Sequence, residues 1–408
     1  MTEAVPGATW VTATALQPTT NKLHGTIVKV LATANFAHLE NVAIQSRCAQ
    51  SAESGAAISC EAKTDAFTFG MNNLVLKLVF SDGVSWIARI SHSAEACDRD
   101  AEEAATSMLS EIATLHTLRK RTTIPVPDVF AFDASKENEF TYSYMLMECL
   151  RGHARSTATH QVPLEYRPHV TNQLADLFFQ LENLSFNKLG RLWCGKECDE
   201  APSIIPYVDW HISSRPATSL VWFYNDRQRQ NRAAIAAHTE DPEWRAAYWI
   251  LKTAISQIII EDRIHSPFPL CHFDLHYGNL LFDDDYNLTG GSRLDQRWYT
   301  APLERLAVTP EFITFPGNTV QANEIILDFR TDVRENPRVL ESQSSLVDEF
   351  QTNLSAVLGT KRADIVHRCT YSFPHRALWD GRLVAKLIYN AAVSWKQLVA
   401  TFGQCELF

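Results

Sequence analysis

The sequence predicts an α+β chain in which a small, mainly antiparallel β region with one inserted helix precedes a larger, mainly helical region. Three observations carry this. Two β-branched and aromatic runs flank Ser81-Asp82-Gly83, as the strands of a hairpin flank their turn. Apolar residues then recur at steps of three and four between Ala105 and Leu118, the period of one helix face. Beyond residue 150 the same helical period dominates to the end.

The 408 residues exceed what one core usually holds and suit two regions of roughly 100 to 200 residues each. Residues 1–60 read as a weakly patterned extension, 61–150 as the small region and 151–408 as the large one. Small and polar residues from Ala49 to Ser59 read as a mobile connection. The hairpin strands are Leu74 to Phe80 and Val84 to Ile90, preceded by Phe69-Gly70-Met71-Asn72-Asn73. Ala105, Met108, Leu109, Ile112, Leu115 and Leu118 make the inserted helix, which Pro125 and Pro127 end. Val126 to Phe132 and Tyr142 to Leu150 are the next strands.

In the large region Val170, Leu174, Leu177, Phe178, Leu181 and Leu184 form one helical stripe. Trp244, Ala247, Leu251, Ala254, Ile255 and Ile258 form another, opened by a cap and first-turn proline at Asp241-Pro242. Further helices are expected from about Ser342 and from about Gly381.

Apolar residues make up 46% of the chain and charged ones 21%, an ordinary folded composition, and no basic run accompanies the net charge of −10. That balance argues against sequence-wide binding to nucleic acid or an anionic membrane. No stretch reaches the roughly 18 apolar residues of a membrane span, and the start has neither a basic nor an apolar export segment, so a cytoplasmic location is expected. Nine scattered cysteines fit reduced thiols. Cys194 and Cys198 lack a second pair that would complete a zinc site.

The segment with most chemistry is His272-Phe273-Asp274-Leu275-His276-Tyr277-Gly278-Asn279, set between apolar runs. An Asp can orient and deprotonate an acceptor hydroxyl, and an Asn five residues on can hold a Mg2+ ion against nucleotide phosphates. His272, Asp274 and His276 also alternate along an extended segment and would suit a metallohydrolase. That reading needs further ligands with their own local pattern, and His153, His160, His211 and His238 show none.

The eight residues fill every fixed position of the H-x-D-L-H-x-G-N loop, and the chain resembles the aminoglycoside phosphotransferase and choline kinase-like family over roughly residues 60–400. The resemblance implies a protein-kinase-like two-lobed fold, with a nucleotide-binding N-lobe at 61–150 and a catalytic and substrate-binding C-lobe at 151–408. It implies ATP and Mg2+ as cofactors and transfer of phosphate to a hydroxyl or amine of a small molecule, with Asp274 as base. Arg89, in Trp86-Ile87-Ala88-Arg89-Ile90, takes the place of the phosphate-gripping cation, and Glu111 that of its acidic partner. Gly70 takes the place of the loop over the phosphates, and the backbone around Glu148 and Cys149 that of the base-binding hinge.

Asn279 is one expected Mg2+ ligand, and the other should be an Asp at the end of a following strand. Direct counting puts Arg293 there, and Asp295 lies two positions later. A shift of two preserves the side of a strand a residue faces, so a bulge could bring Asp295 to the metal. Should Arg293 occupy the site, the chain is a kinase-like binder without chemistry, the alternative to a kinase. Asp283, Asp284 and Asp285 read as a hairpin turn. The acceptor and the oligomeric state are not written in the sequence.

Overall fold

The computed structural model describes residues 10–12, 16, 22–50, 57–70, 72–92, 101–154, 162–209, 212–214, 218–258, 264–265, 267–272, 275, 279–291, 298–306, 331–332, 335–336, 357, 360–370, 377–390 and 392–406. The chain divides into two compact units. One comprises residues 1–160, 193–203 and 277–296, and the other residues 161–192, 204–276 and 297–408.

In the first unit the elements run β1 (Val11–Thr12), α1 (His24–Thr33), α2 (Phe36–Gln50), β2 (Cys60–Phe69), β3 (Asn73–Phe80), β4 (Ser85–Ser91), α3 (Ala101–Arg121), β5 (Val129–Asp133) and β6 (Tyr144–Glu148). The strands make one antiparallel sheet in the order β1-β2-β3-β4-β6-β5. The expected β3–β4 hairpin is present. Gly83 takes the left-handed conformation the turn needs, at φ +85°, and the Asp82 carboxylate accepts the Val84 amide at 3.1 Å.

Alternation along the strands gives the sheet two different faces. Leu74, Leu76 and Leu78 on β3 lie opposite Ile90, Ala88 and Trp86 on β4, and all are buried in one core with Tyr144 and Leu146 of β6. That core is closed by Ile27 and Val30 of α1 and Leu39 and Ala43 of α2. Each buried leucine, isoleucine or valine among them contributes roughly 1.5–3 kcal/mol, so this face holds the sheet together. Val75, Lys77, Ile87, Arg89, Met145 and Met147 alternate with the core residues and face the other way.

Helices α1 and α2 fall where the sequence showed little pattern. Only Ile27, Val30, Leu39 and Ala43 are buried on them, too few to mark an apolar stripe. Polar and aromatic contacts secure them instead. The Thr33 and Tyr142 hydroxyls are 2.8 Å apart, the Glu40 carboxylate accepts the Ala62 amide at 2.8 Å, and Phe36 meets Phe140 edge-on at 5.7 Å.

The inserted helix appears as α3 and buries the predicted Met108, Leu109, Ile112, Leu115 and Leu118. The strand expected from Val126 begins at Val129, since Pro125 and Pro127 have no amide for a ladder. Also within this unit, Leu281–Phe282 pairs with His153–Ala154 and with Leu288–Gly290. The acidic triplet between them is the predicted turn: the Asp283 carboxylate accepts the amides of Asp285 at 3.0 Å and Asn287 at 2.8 Å.

The second unit is mainly helical. Helix Arg167–Asn183 buries Val170, Leu174, Leu177, Phe178 and Leu181, and helix Pro242–Ile258 buries Ala247, Leu251, Ala254, Ile255 and Ile258, as their periods predict. Asp241 caps the latter, accepting the Glu243 amide at 2.8 Å. Helix Ala377–Tyr389 packs across it at Gly381, where a Cβ would stand 2.6 Å from that of Ala247. Strand Phe268–His272 pairs with Ser185–Phe186 on one side and Trp298–Thr300 on the other. The helix expected from Ser342 lies outside the described residues. Among the described residues no helix is long and apolar enough to cross a membrane.

Candidate active site

Arg89 emerges from the middle of β4 on the face turned away from the aliphatic core, in line with Val75 of β3 and Met145 of β6. A long cation in that position must find a counter-charge or pay for its burial. Glu111, on the apolar side of α3, supplies it. Nη1 of Arg89 donates to Oε1 of Glu111 and Nη2 to Oε2, with both side chains buried. A two-pronged pair fixes the plane of the guanidinium as well as its charge, and it ties α3 to the sheet.

Gly70 follows β2 at the hairpin into β3, where its amide donates to the Asn73 carbonyl at 2.9 Å. The Asn72 carbonyl accepts the His92 amide at 3.0 Å, which brings the end of β4 against the same turn. The turn is thus pinned from the neighbouring strand.

Glu148 closes β6, and its groups are engaged away from Cys149. Its amide donates to the Asp128 carbonyl at 2.8 Å, and its carboxylate accepts the Asp128 amide at 3.2 Å and Arg119 Nη1 at 3.4 Å. Arg119 also reaches the Asp128 carboxylate at 2.5 Å and the Val126 carbonyl at 3.1 Å. The C-terminal turns of α3 are thereby linked to the chain leaving β6. Cys149 follows, half-buried. Burial pushes its thiol pKa up, the Lys77 ammonium draws it back, and the Glu148 carboxylate adds to the rise.

Asn279 is buried directly before the Leu281–Phe282 strand, in the same unit as Arg89 and Glu111. His272, in the other unit, is buried at the end of Phe268–His272 with its ring edge-on to Trp298 at 4.9 Å. Asp274, His276, Gly278, Arg293 and Asp295 lie outside the described residues. Among the described residues no group of three or more His, Cys, Asp or Glu side chains could hold a metal.

Two features escaped the sequence reading. Lys77 shares the sheet face of Arg89, and the only signal was one charged residue in the apolar run Leu74 to Phe80. The segment 193–203 folds into the first unit, where Cys198 Sγ donates to the Leu109 carbonyl on α3 at 3.6 Å and the Cys194 thiol is bonded by Thr117 of the same helix. These thiols pack against the helix that carries Glu111. No local pattern announces such a long-range contact.

Comparison with known proteins gives the family. The model of the phosphotransferase enzyme family matches residues 65–290, more than half of the chain, and spans the sheet from within β2 to β6, α3 and the Asn279 hairpin. Subtelomeric hrmA-associated cluster proteins from two strains of Aspergillus fumigatus are each 29% identical over 109 residues, 26% of this chain and 21% of theirs. The match thus spans about a fifth of the length of those relatives.

Among solved structures, a Ralstonia eutropha protein assigned to the aminoglycoside phosphotransferases is 10% identical at a TM-score of 0.49, covering 88% of this chain and 96% of its own. A macrolide 2'-phosphotransferase from Brachybacterium faecium is 13% identical at 0.44, covering 90% and 99%. An ethanolamine kinase from Plasmodium vivax is 10% identical at 0.45, covering 97% of both. The extent of the family match, over the elements that build the site, decides the assignment: this chain belongs to the phosphotransferase enzyme family.

Proposed function

We propose that this chain moves the γ-phosphoryl group of a purine nucleoside triphosphate to a hydroxyl, or less often an amine, of a small molecule. ATP is the donor the family resemblance implies. The observation that carries the reading is the buried Arg89–Glu111 pair on the face of the sheet opposite the aliphatic core, inside the span matched by the family. Such a pair is an electrostatic clamp. Glu111 accepts two of the five guanidinium N–H groups and holds the plane, so that the cation is oriented before the phosphates arrive.

The remaining roles follow from residue chemistry. The hairpin turn at Gly70 lies at the β3 end nearest the Val75–Arg89 row and can close over the phosphates. The Glu148 amide is committed to Asp128, so a base would use carbonyl groups of the hinge and the backbone beyond Cys149. Asn279 offers a neutral amide oxygen and Asp295 a carboxylate, the hard donors Mg2+ takes, and the residues therefore fit that ion. When bound, Mg2+ supplies positive charge against the charge gathering on the transferred group. Asp274 receives the acceptor hydroxyl proton.

The test is turnover. Purified protein is given nucleotide, Mg2+ and a panel of small hydroxylated acceptors, and nucleoside diphosphate release is followed. Acceptor-dependent release that disappears in Asp274→Asn, with the fold unchanged by circular dichroism, supports the reading. Undiminished release in Asp274→Asn removes Asp274 from the role of base.

A further inference from the structure

One helix braces both segments that the nucleotide reading uses. Glu111 of α3 holds Arg89, the cation placed at the phosphates. Arg119 stands on the same helix eight residues later, roughly 12 Å farther along its axis, in the last turn. A cation there is also favoured by the helix dipole.

The run between α3 and β5 has few donors of its own, because Pro125 and Pro127 flank Val126 and carry no amide. Arg119 supplies what is missing. Its Nη1 donates to the Val126 carbonyl at 3.1 Å and reaches the Glu148 carboxylate at 3.4 Å, and its Nε meets the Asp128 carboxylate at 2.5 Å. Asp128 and Glu148 close the circuit. The Glu148 amide donates to the Asp128 carbonyl at 2.8 Å, and the Asp128 amide to the Glu148 carboxylate at 3.2 Å. Cys149 follows directly, and all these residues belong to the first unit.

The three charged side chains are each half-exposed, and ion pairs so placed add little to unfolding free energy. What this group contributes is position, because its bonds end on the backbone at Val126, Asp128 and Glu148. We propose that Arg119 is a positioning residue for the base end of the nucleotide site. This inference rests on the nucleotide reading above and deepens it. Arg119 itself touches no substrate. It neutralises two carboxylates that would otherwise repel each other, keeps the Glu148 carboxylate on the Asp128 amide, and so presets the backbone at Glu148 and Cys149 against which the base is placed. Without the guanidinium that backbone must be ordered when the nucleotide binds, at the expense of affinity.

The experiment is titration of ATP, GTP and inorganic tripolyphosphate, each with Mg2+, into the full chain and into Arg119→Met, with urea unfolding of both. Arg119→Met keeps an unbranched stem and removes the guanidinium. The nucleotide that binds the unaltered protein is expected to bind the variant about 10-fold more weakly. Tripolyphosphate, which has no base, and the unfolding midpoint should change little. Nucleotide affinity unchanged in Arg119→Met overturns the role of Arg119 and leaves the nucleotide site standing. An equal weakening of tripolyphosphate overturns it too, since the loss is then not confined to the base. Should tripolyphosphate fail to bind the unaltered protein, nucleotide affinity against the unfolding midpoint decides, and a fall in both overturns the positioning role. Failure of both nucleotides to bind the unaltered protein rejects the nucleotide reading, and this inference with it. Should Arg119→Met not fold, Asp128→Asn, which removes one of the two charges holding Arg119, is titrated in its place with the same split expected and the same results overturning it.

Discussion

Arg89 of β4 and Glu111 of α3 meet through two parallel hydrogen bonds, Nη1 to Oε1 and Nη2 to Oε2, and both side chains are buried. The pair joins the centre of the sheet to the helix that crosses it. In the proposed reaction it also presets the cation that would receive phosphate, so one contact serves stability and binding together.

Breaking one half of that pair should be costly, because the other half is left charged and out of water. Glu111→Ala is expected to lose about 3–5 kcal/mol of unfolding free energy, read from urea denaturation. Glu111→Gln keeps an acceptor and the side-chain shape, so a smaller loss is expected. Nucleotide affinity should fall in both. A Glu111→Ala protein as stable as the unaltered one would show that the pair does not anchor α3.

Asn279 tests the metal side separately. Its amide is buried beside a strand of the same unit, and Asn279→Ala removes the oxygen proposed for Mg2+. The Mg2+ concentration needed for half-maximal nucleotide binding should rise about 10- to 100-fold, while nucleotide binding without metal changes little. An unchanged Mg2+ requirement would take Asn279 out of the metal site.

The thiols give a pH prediction. Burial first, then Glu40 and Glu61, push the Cys60 thiol from 9.0 to about 12, and burial first, then Cys194, Glu197 and Asp199, do the same to Cys198. Above pH 9 the unfolded chain releases these protons and the folded chain retains them. Unfolding is therefore favoured progressively as pH rises from 9 towards 12, and the stabilisation is fully present below pH 9. Chemical denaturation at pH 7.5 and 10 should show the decline, and Cys198→Ala should reduce it. A stability indifferent to pH across that interval would contradict the burial of these thiols.

Much of the first unit was legible because its signals are local. Asp82-Gly83 fixes a turn, alternation fixes which residues of β3 and β4 enter the core, and a period of three and four fixes the buried side of α3. The eight-residue loop with Asp274 and Asn279 pointed to phosphoryl transfer for the same reason, its spacing being chemical. Helices α1 and α2 stayed hidden because few of their side chains enter the core and their docking depends on partners far along the chain, Thr33 on Tyr142 and Glu40 on Ala62. Lys77 stayed hidden because its place on the Arg89 face depends on the register that sets it beside Ile87 and Met147.

The proposed metal-assisted nucleotide site is tested by calorimetric titration of nucleoside triphosphate into the purified chain, once with Mg2+ and once with EDTA. Saturable binding that is strong with Mg2+ and weakened or lost with EDTA is expected. Absence of binding, or binding indifferent to the metal, would contradict it and leave a phosphotransferase scaffold without its phosphoryl donor.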